Sequence, residues 1–179
     1  MSRVFRTVVV LSLVVGLAGA AAAAEFPAIG KAAPEFRLRN QDLNGVALSD
    51  LRGKWVVLFF YTRDFVREWA TEVRNFQRDK AKYDAAGATL VGISTDGPDS
   101  HKSFHDMYKL TFDLLSDTNA DVSTDYNSYI QLKVAKMSAP NTFVIDPQGN
   151  VVKIFTNINP TNHSDQVLKA LAELQKTKK

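Results

Sequence analysis

No cysteine occurs anywhere in the chain. That single absence excludes a disulfide framework, a thiolate zinc site, an iron–sulfur cluster and any redox cycle at sulfur. Histidine is scarce, with three residues, and the nine glycines are scattered at turns rather than gathered into a loop that could cradle phosphate. No Ser/His/Asp order of the hydrolase kind is recognisable. Internal repeats, low-complexity linkers and long charge runs are absent too. What remains is an ordinary globular composition: 179 residues, 45% hydrophobic and 10% aromatic, enough to bury one core of normal size and implying one domain.

The excess of positive charge, 22 Lys+Arg against 19 Asp+Glu, is slight and unevenly placed. Arg3 and Arg6 precede an uncharged apolar run from Thr7 to Leu17, and Gly19 to Ala24 is a small-residue tail in which Ala22 and Ala24 satisfy an A-x-A cleavage rule. Residues 1–24 therefore read as a secretory signal peptide, and residues 25–179 as the domain. The apolar stretch is short for a bilayer span, so no stable membrane anchor is expected once the signal is removed. Cleavage before Glu25 leaves 155 residues with 20 basic and 19 acidic groups, because two arginines leave with the signal. Nucleic-acid binding needs clustered, uncompensated cations and is not expected. The expected location is outside the cytoplasm, in the periplasm, and a missing lipid-bearing cysteine rules out a lipoprotein.

Along the domain, short strand-like pieces at Phe36–Arg39 and Val46–Leu48 flank the turn Asp42-Leu43-Asn44-Gly45 and read as a hairpin. Lys54–Tyr61 is apolar with almost no alternation, the pattern of a strand covered on both faces. Helical spacing runs from about Phe65 to Ala86, with Gly87 as a stop; Ala88–Ser94 is a second buried strand. Pro98 opens a helix over Asp99–Leu110, Phe112–Leu115 is a short strand, and Asn119–Tyr126 a short helix. Thr142–Asp146 and Val151–Thr156, joined by Pro147-Gln148-Gly149-Asn150, read as an antiparallel hairpin before a last helix over His163–Lys176. The order implies an α/β domain of three layers with a mixed central sheet and helices on both faces.

These pieces carry a family resemblance. Ser49-Asp50-Leu51-Arg52-Gly53-Lys54-Trp55, Asp64-Phe65, Asn75-Phe76, Gly92-Ile93-Ser94-Thr95-Asp96, Ser100–Phe104 and Thr142–Pro147 together resemble the peroxiredoxins (the AhpC/TSA family), and among them the bacterioferritin-comigratory, Q-type thiol peroxidases. The likeness spans about Ile29 to Leu174 and implies a thioredoxin-like fold with the N-terminal hairpin of that family. It also implies an antioxidant, thioredoxin-dependent peroxidase activity, in which a low-pKa cysteine in the first turn of the long helix attacks peroxide. The matching positions here are occupied by other residues. Thr62 stands at the shielding proline, Val66 at the threonine whose hydroxyl holds peroxide, and Trp69 at the attacking cysteine. Arg74 stands at the resolving cysteine and Pro140 at the pocket arginine. Neither an indole nor a valine can replace a thiolate and its hydroxyl donor.

Several side chains remain to be weighed. On a helical wheel Phe65, Trp69, Val73 and Phe76 share an apolar arc. Trp69 is read either as a core plug in the vacated pocket or, with Tyr61 and Pro140, as the lining of an apolar cleft that takes a small apolar ligand or a partner protein. Pro140 invites comparison with the cis proline before the corresponding strand in thioredoxins; a trans strand-initiating proline is the other reading. Arg63, Arg67, Arg74 and Arg78 form a stripe that could seat an acidic partner. Asp64, Glu68, Glu72 and Asp79 run beside it, which favours a mutually paired, solvated face. His101 and His105 stand at i, i+4, too few ligands for a metal site; no metal and no cofactor is expected. Two functions follow: a redox-inert binding or scaffold domain, or a peroxide-handling enzyme that works only with a partner or a recruited cofactor. Intact-mass measurement of protein from the producing cell is expected to find a chain beginning within two residues of Glu25; a mature form that keeps Met1 to Ala24 would contradict the export reading.

Overall fold

The computed structural model describes residues 25–132 and 135–177, so the signal-peptide expectation for residues 1–24 lies outside the described residues. The elements follow the expected order: β1 (Arg37–Asn40), β2 (Gly45–Ala47), β3 (Trp55–Phe60), α1 (Arg67–Ala85), β4 (Ala88–Ser94), α2 (Pro98–Tyr108), β5 (Asp113–Ser116), α3 (Asp121–Asp125), β6 (Tyr129–Leu132), β7 (Ala135–Ser138), β8 (Thr142–Ile145), β9 (Val151–Phe155) and α4 (His163–Thr177). Seven strands form one sheet in the order β2-β1-β5-β4-β3-β8-β9. The inner strands β3, β4 and β5 are parallel; β8, β9 and the β1–β2 hairpin join antiparallel, so the sheet is mixed.

Every residue of β3 is buried, because the strand is covered on both faces. Its odd positions, Val57 and Phe59 with Tyr61 just beyond, pack under α1, α2 and α4 against Val73, Phe76, Phe104, Val167 and Leu171. Its even positions, Val56, Leu58 and Phe60, face Leu48, Val122, Tyr126 and Phe143 on the side that carries the short α3. Helices thus cover both faces, three on one and one short helix on the other. Among the described residues no helix is long and apolar enough to cross a membrane.

Two boundaries differ from the sequence reading. Tyr129–Leu132 and Ala135–Ser138 pair as a separate two-stranded hairpin that composition did not single out. Polar contacts tie it to the rest of the fold: Ser138 Oγ lies 2.9 Å from Ser123 Oγ, and Thr95 Oγ1 donates to the Lys136 carbonyl at 3.2 Å. The long helix starts at Arg67, not Phe65, because Phe65 has a left-handed φ of 61° and Val66 is the extended N-cap residue.

The spacing of α1 from the sheet is set where the Phe59 ring lies over Gly92, its cross-strand neighbour, and stacks on Phe76 at 4.6 Å. A Cβ at Gly92 would stand 2.8 Å from both the Phe59 ring and Leu114 Cδ2. Gly92→Ala is therefore expected to destabilise the fold by ~1–3 kcal/mol, measured by chemical denaturation, since overpacking must displace one of those side chains.

Candidate functional site

The chain leaves β3 at Tyr61 and must turn before α1, and this turn carries the positions at issue. Asp64, at its centre, is buried and fully engaged. Tyr61 Oη donates to Asp64 Oδ1 at 2.8 Å, and Ser100 Oγ donates to Asp64 Oδ2 at 2.7 Å. His101 Nδ1 lies 2.9 Å from that same oxygen. Its Nε2 lies 3.2 Å from the Leu115 carbonyl. The Asp64 N–H donates to Asp96 Oδ2 at 2.8 Å, and Asp96 in turn accepts from Ser94 Oγ. Burial and the neighbouring Asp64 carboxylate raise the Tyr61 pKa well above its ordinary value, so the phenol stays a donor.

This arrangement holds His101 at 0% exposure with both ring nitrogens facing acceptors, and it corrects two expectations. Tyr61 is equally buried and points into the fold, so it is not the wall of an open cleft. Asp64, Glu72 and Asp79 are not members of a solvated acidic stripe: their exposures are 7%, 0% and 2%, and Glu68 alone of the four is exposed. The wheel placed Asp64 on a helix that has not yet begun. For the other two the spacing held the answer, since Glu72 lies four residues before Phe76, and Asp79 four before Tyr83, on the buried face.

Trp69, the third residue of α1, is partly buried and packs against the cluster built from Phe59, Tyr61 and Val73. Thr62 and Pro140 are half-buried, Val66 and Arg74 exposed. No cis peptide bond occurs among the described residues, so the Ala139–Pro140 bond is trans. Four surface depressions border α1, α2 and the loop before α4, and Tyr61, Trp69 and Pro140 line none of these four. The first turn of α1 thus lays an indole on the hydrophobic core.

One turn further along α1, Glu72 meets α4. Neither of its carboxyl oxygens makes a hydrogen bond, and His163 Nε2 stands 3.8 Å from Oε1 while lying 2.9 Å from Thr142 Oγ1. The imidazole is edge-on to both Phe76 and Phe155. Desolvation dominates both groups: it pushes the Glu72 pKa up from 4.5 to about 8 and the His163 pKa down from 6.5 to about 4, so each is neutral at pH 7. Asp79 is the opposite case. Arg78 above all, then Lys82 and Ser164, hydrogen-bond its carboxylate and hold its pKa well below the usual range. The sequence signal for Glu72 and His163 was their position on apolar helix faces; nothing in spacing alone joins residues so far apart.

The family model for AhpC/TSA matches residues 29–154. The chain is 36% identical over 146 residues to the chloroplastic peroxiredoxin Q of Populus jackii, covering 81% of this chain and 68% of that protein. It is 33% identical over 147 residues to a putative peroxiredoxin bcp of Helicobacter pylori, covering 80% and 97%. The crystal structure of peroxidoxin BcpB from Mycobacterium tuberculosis superposes with a TM-score of 0.77 at 27% identity, covering 82% of this chain and 97% of that one.

The neutral pair makes a pH prediction. His163 contributes stability that is present above pH 6.5 and lost as pH falls toward 4; Glu72 contributes stability that is present at low pH and lost as pH rises from 4.5 toward 8. The two slopes oppose each other up to pH 6.5, and only the Glu72 loss remains above it, at ~1.4 kcal/mol per pH unit as an upper value. Denaturation midpoints are expected to fall between pH 6.5 and 8 in the wild type and to stay level in Glu72→Gln. A fall shared equally by the variant would place the titrating group elsewhere.

Proposed function

Since the chain belongs to the AhpC/TSA family, on a peroxiredoxin Q-like frame, and contains no cysteine, we propose that it is a redox-inert binding or scaffold domain, exported after loss of residues 1–24. The observation that supports this reading is Trp69 packed on the core, at the position that the family resemblance assigns to the attacking thiol. Peroxide reduction needs a nucleophile whose electron pair cleaves the O–O bond and a hydroxyl and guanidinium to hold the peroxide. Trp69, Val66 and Pro140 supply none of these groups. The buried turn supports the same reading: the carboxylate, phenol and imidazole beside it are spent on one another.

The test is peroxide consumption by the purified protein with thioredoxin or dithiothreitol, using hydrogen peroxide and an alkyl hydroperoxide. No turnover above a protein-free control is expected. Trp69→Cys is expected to recover little, because the hydroxyl at Val66 and the guanidinium at Pro140 would still be missing and each transition-state donor is worth about a hundredfold, or ~3 kcal/mol. Robust turnover by the wild type would overturn the reading, and robust turnover by the single variant would show that the nucleophile alone was lost.

A further inference from the structure

Because Asp64, Glu72 and Asp79 turn inward, the arginine stripe of α1 loses most of the acids expected to neutralise it. Arg78 keeps partners, Asp79 at 2.5 Å and Asp165 at 3.7 Å. Arg63, Arg67 and Arg74 are exposed and form no ion pair among the described residues, nor does Lys109 at the end of α2. Arg74 instead lies over the Tyr108 ring, 5.8 Å from its centroid.

Next to these cations the surface is apolar. Phe65, Val66 and Met107 are 48%, 36% and 61% exposed, a large share of the exposed hydrophobic side chains. Phe65 is joined to the arginines through a buried ring: it packs edge-on against Phe104 at 5.2 Å, Phe104 against Tyr108 at 4.9 Å, and Tyr108 carries Arg74. Arg74, Met107, Tyr108 and Lys109 border a depression of about 390 Å³. Arg74 and Thr71 border a second of about 310 Å³, and Thr71 and Arg67 a third of about 300 Å³. Glu68, on the rim of the third, is the one exposed acid of the helix's first turns. Exposed aromatic, methionine and arginine side chains around a helix are the composition that marks protein interfaces, where such anchors carry most of the binding energy.

We propose that this face of α1 and the end of α2 is a docking surface for an extended acidic protein segment that carries an apolar anchor. The charge fixes the sign of the partner, and the spacing fixes its pattern. Arg67 and Arg74 are seven residues apart on one helix face, or ~10 Å at the helical rise. An extended segment in the polyproline-II conformation advances ~3.1 Å per residue and returns to the same face at every third residue, so the two carboxylates that meet them stand about three residues apart. The apolar anchor falls on Phe65 and Met107. A long polyanion is disfavoured by the chain outside the stripe, whose basic and acidic residues nearly balance. The surface lies beside the Trp69 position rather than in it, so the inference goes beyond the proposed loss of peroxidase chemistry and stands or falls separately from the peroxide assay.

The experiment titrates the protein, as purified from the producing cell, into fluorescent twelve-residue peptides that bear a Phe or Leu and two Glu separated by one to six positions, with Gln-for-Glu peptides as controls. Expected is binding about tenfold tighter for Glu than for Gln peptides, an optimum near a three-residue separation, and loss of that advantage in raised salt. Arg67→Glu with Arg74→Glu is expected to abolish the preference while circular dichroism and thermal midpoint stay unchanged. Lys169→Glu, an exposed cation on α4, is expected to keep it. Equal affinity for Glu and Gln peptides, or an unaltered preference in the double arginine variant, would overturn the proposal. So would binding to a DNA duplex or to phosphatidylserine vesicles with no peptide bound. A self-association that the arginine substitutions abolish while peptides remain unbound would assign the face to a second copy of the chain instead.

Discussion

The carboxylate of Asp64 accepts hydrogen bonds from a tyrosine at the end of β3 and a serine of α2 and faces a histidine of α2, the tyrosine and histidine both buried. A buried charge of this kind is tolerable only when each lone pair is met, and removing one partner leaves the others stranded. The constraint reaches well past the residue itself. With Asp64 pinned to β3 and to α2, the next residue is forced into a left-handed conformation with its ring on the outside, and α1 begins at Arg67. Trp69 then falls in the first turn with its indole laid against the core.

From that fixed start the rest of α1 follows by rotation. The same register that packs Val73, Phe76 and Tyr83 under the sheet carries Glu72 and Asp79 inward with them. The two acids meet different fates. Asp79 finds Arg78, Lys82 and Ser164 and remains ionised; Glu72 finds only a distant imidazole and keeps its proton. Arginines on the opposite side of the helix are left facing solvent. A family frame whose thiol chemistry has no residue to perform it thus retains an ordered polar interior and gains an unneutralised outer face.

Much of this was legible in the residues. The unbroken apolar run of β3, Gly87 after α1, Pro98 at the start of α2 and the turn Pro147–Asn150 placed the central elements, because burial on both faces and turn stereochemistry leave strong local marks. What escaped was whatever depends on contacts distant in sequence. His101 looked like half of a weak metal pair until Asp64 and Leu115 were seen on either side of it. Asp64 looked helical because its wheel was extended back through a residue with positive φ. The hairpin of β6 and β7 escaped too: hydroxyl contacts with residues distant in sequence help to hold it in place, and spacing alone does not show them.

The account rests on the turn between β3 and α1 being closed and internally satisfied rather than an open pocket. Amide hydrogen–deuterium exchange over residues 62–70, in the wild type and in Asp64→Ala, measures that closure directly. The account predicts strong protection of the Asp64 and Ala70 amides, which donate to Asp96 and to the Val66 carbonyl, in the wild type and its loss in the variant, with β3 and β4 still protected. Fast exchange of these two amides in the wild type, or the same protection with and without the Asp64 carboxylate, would contradict it.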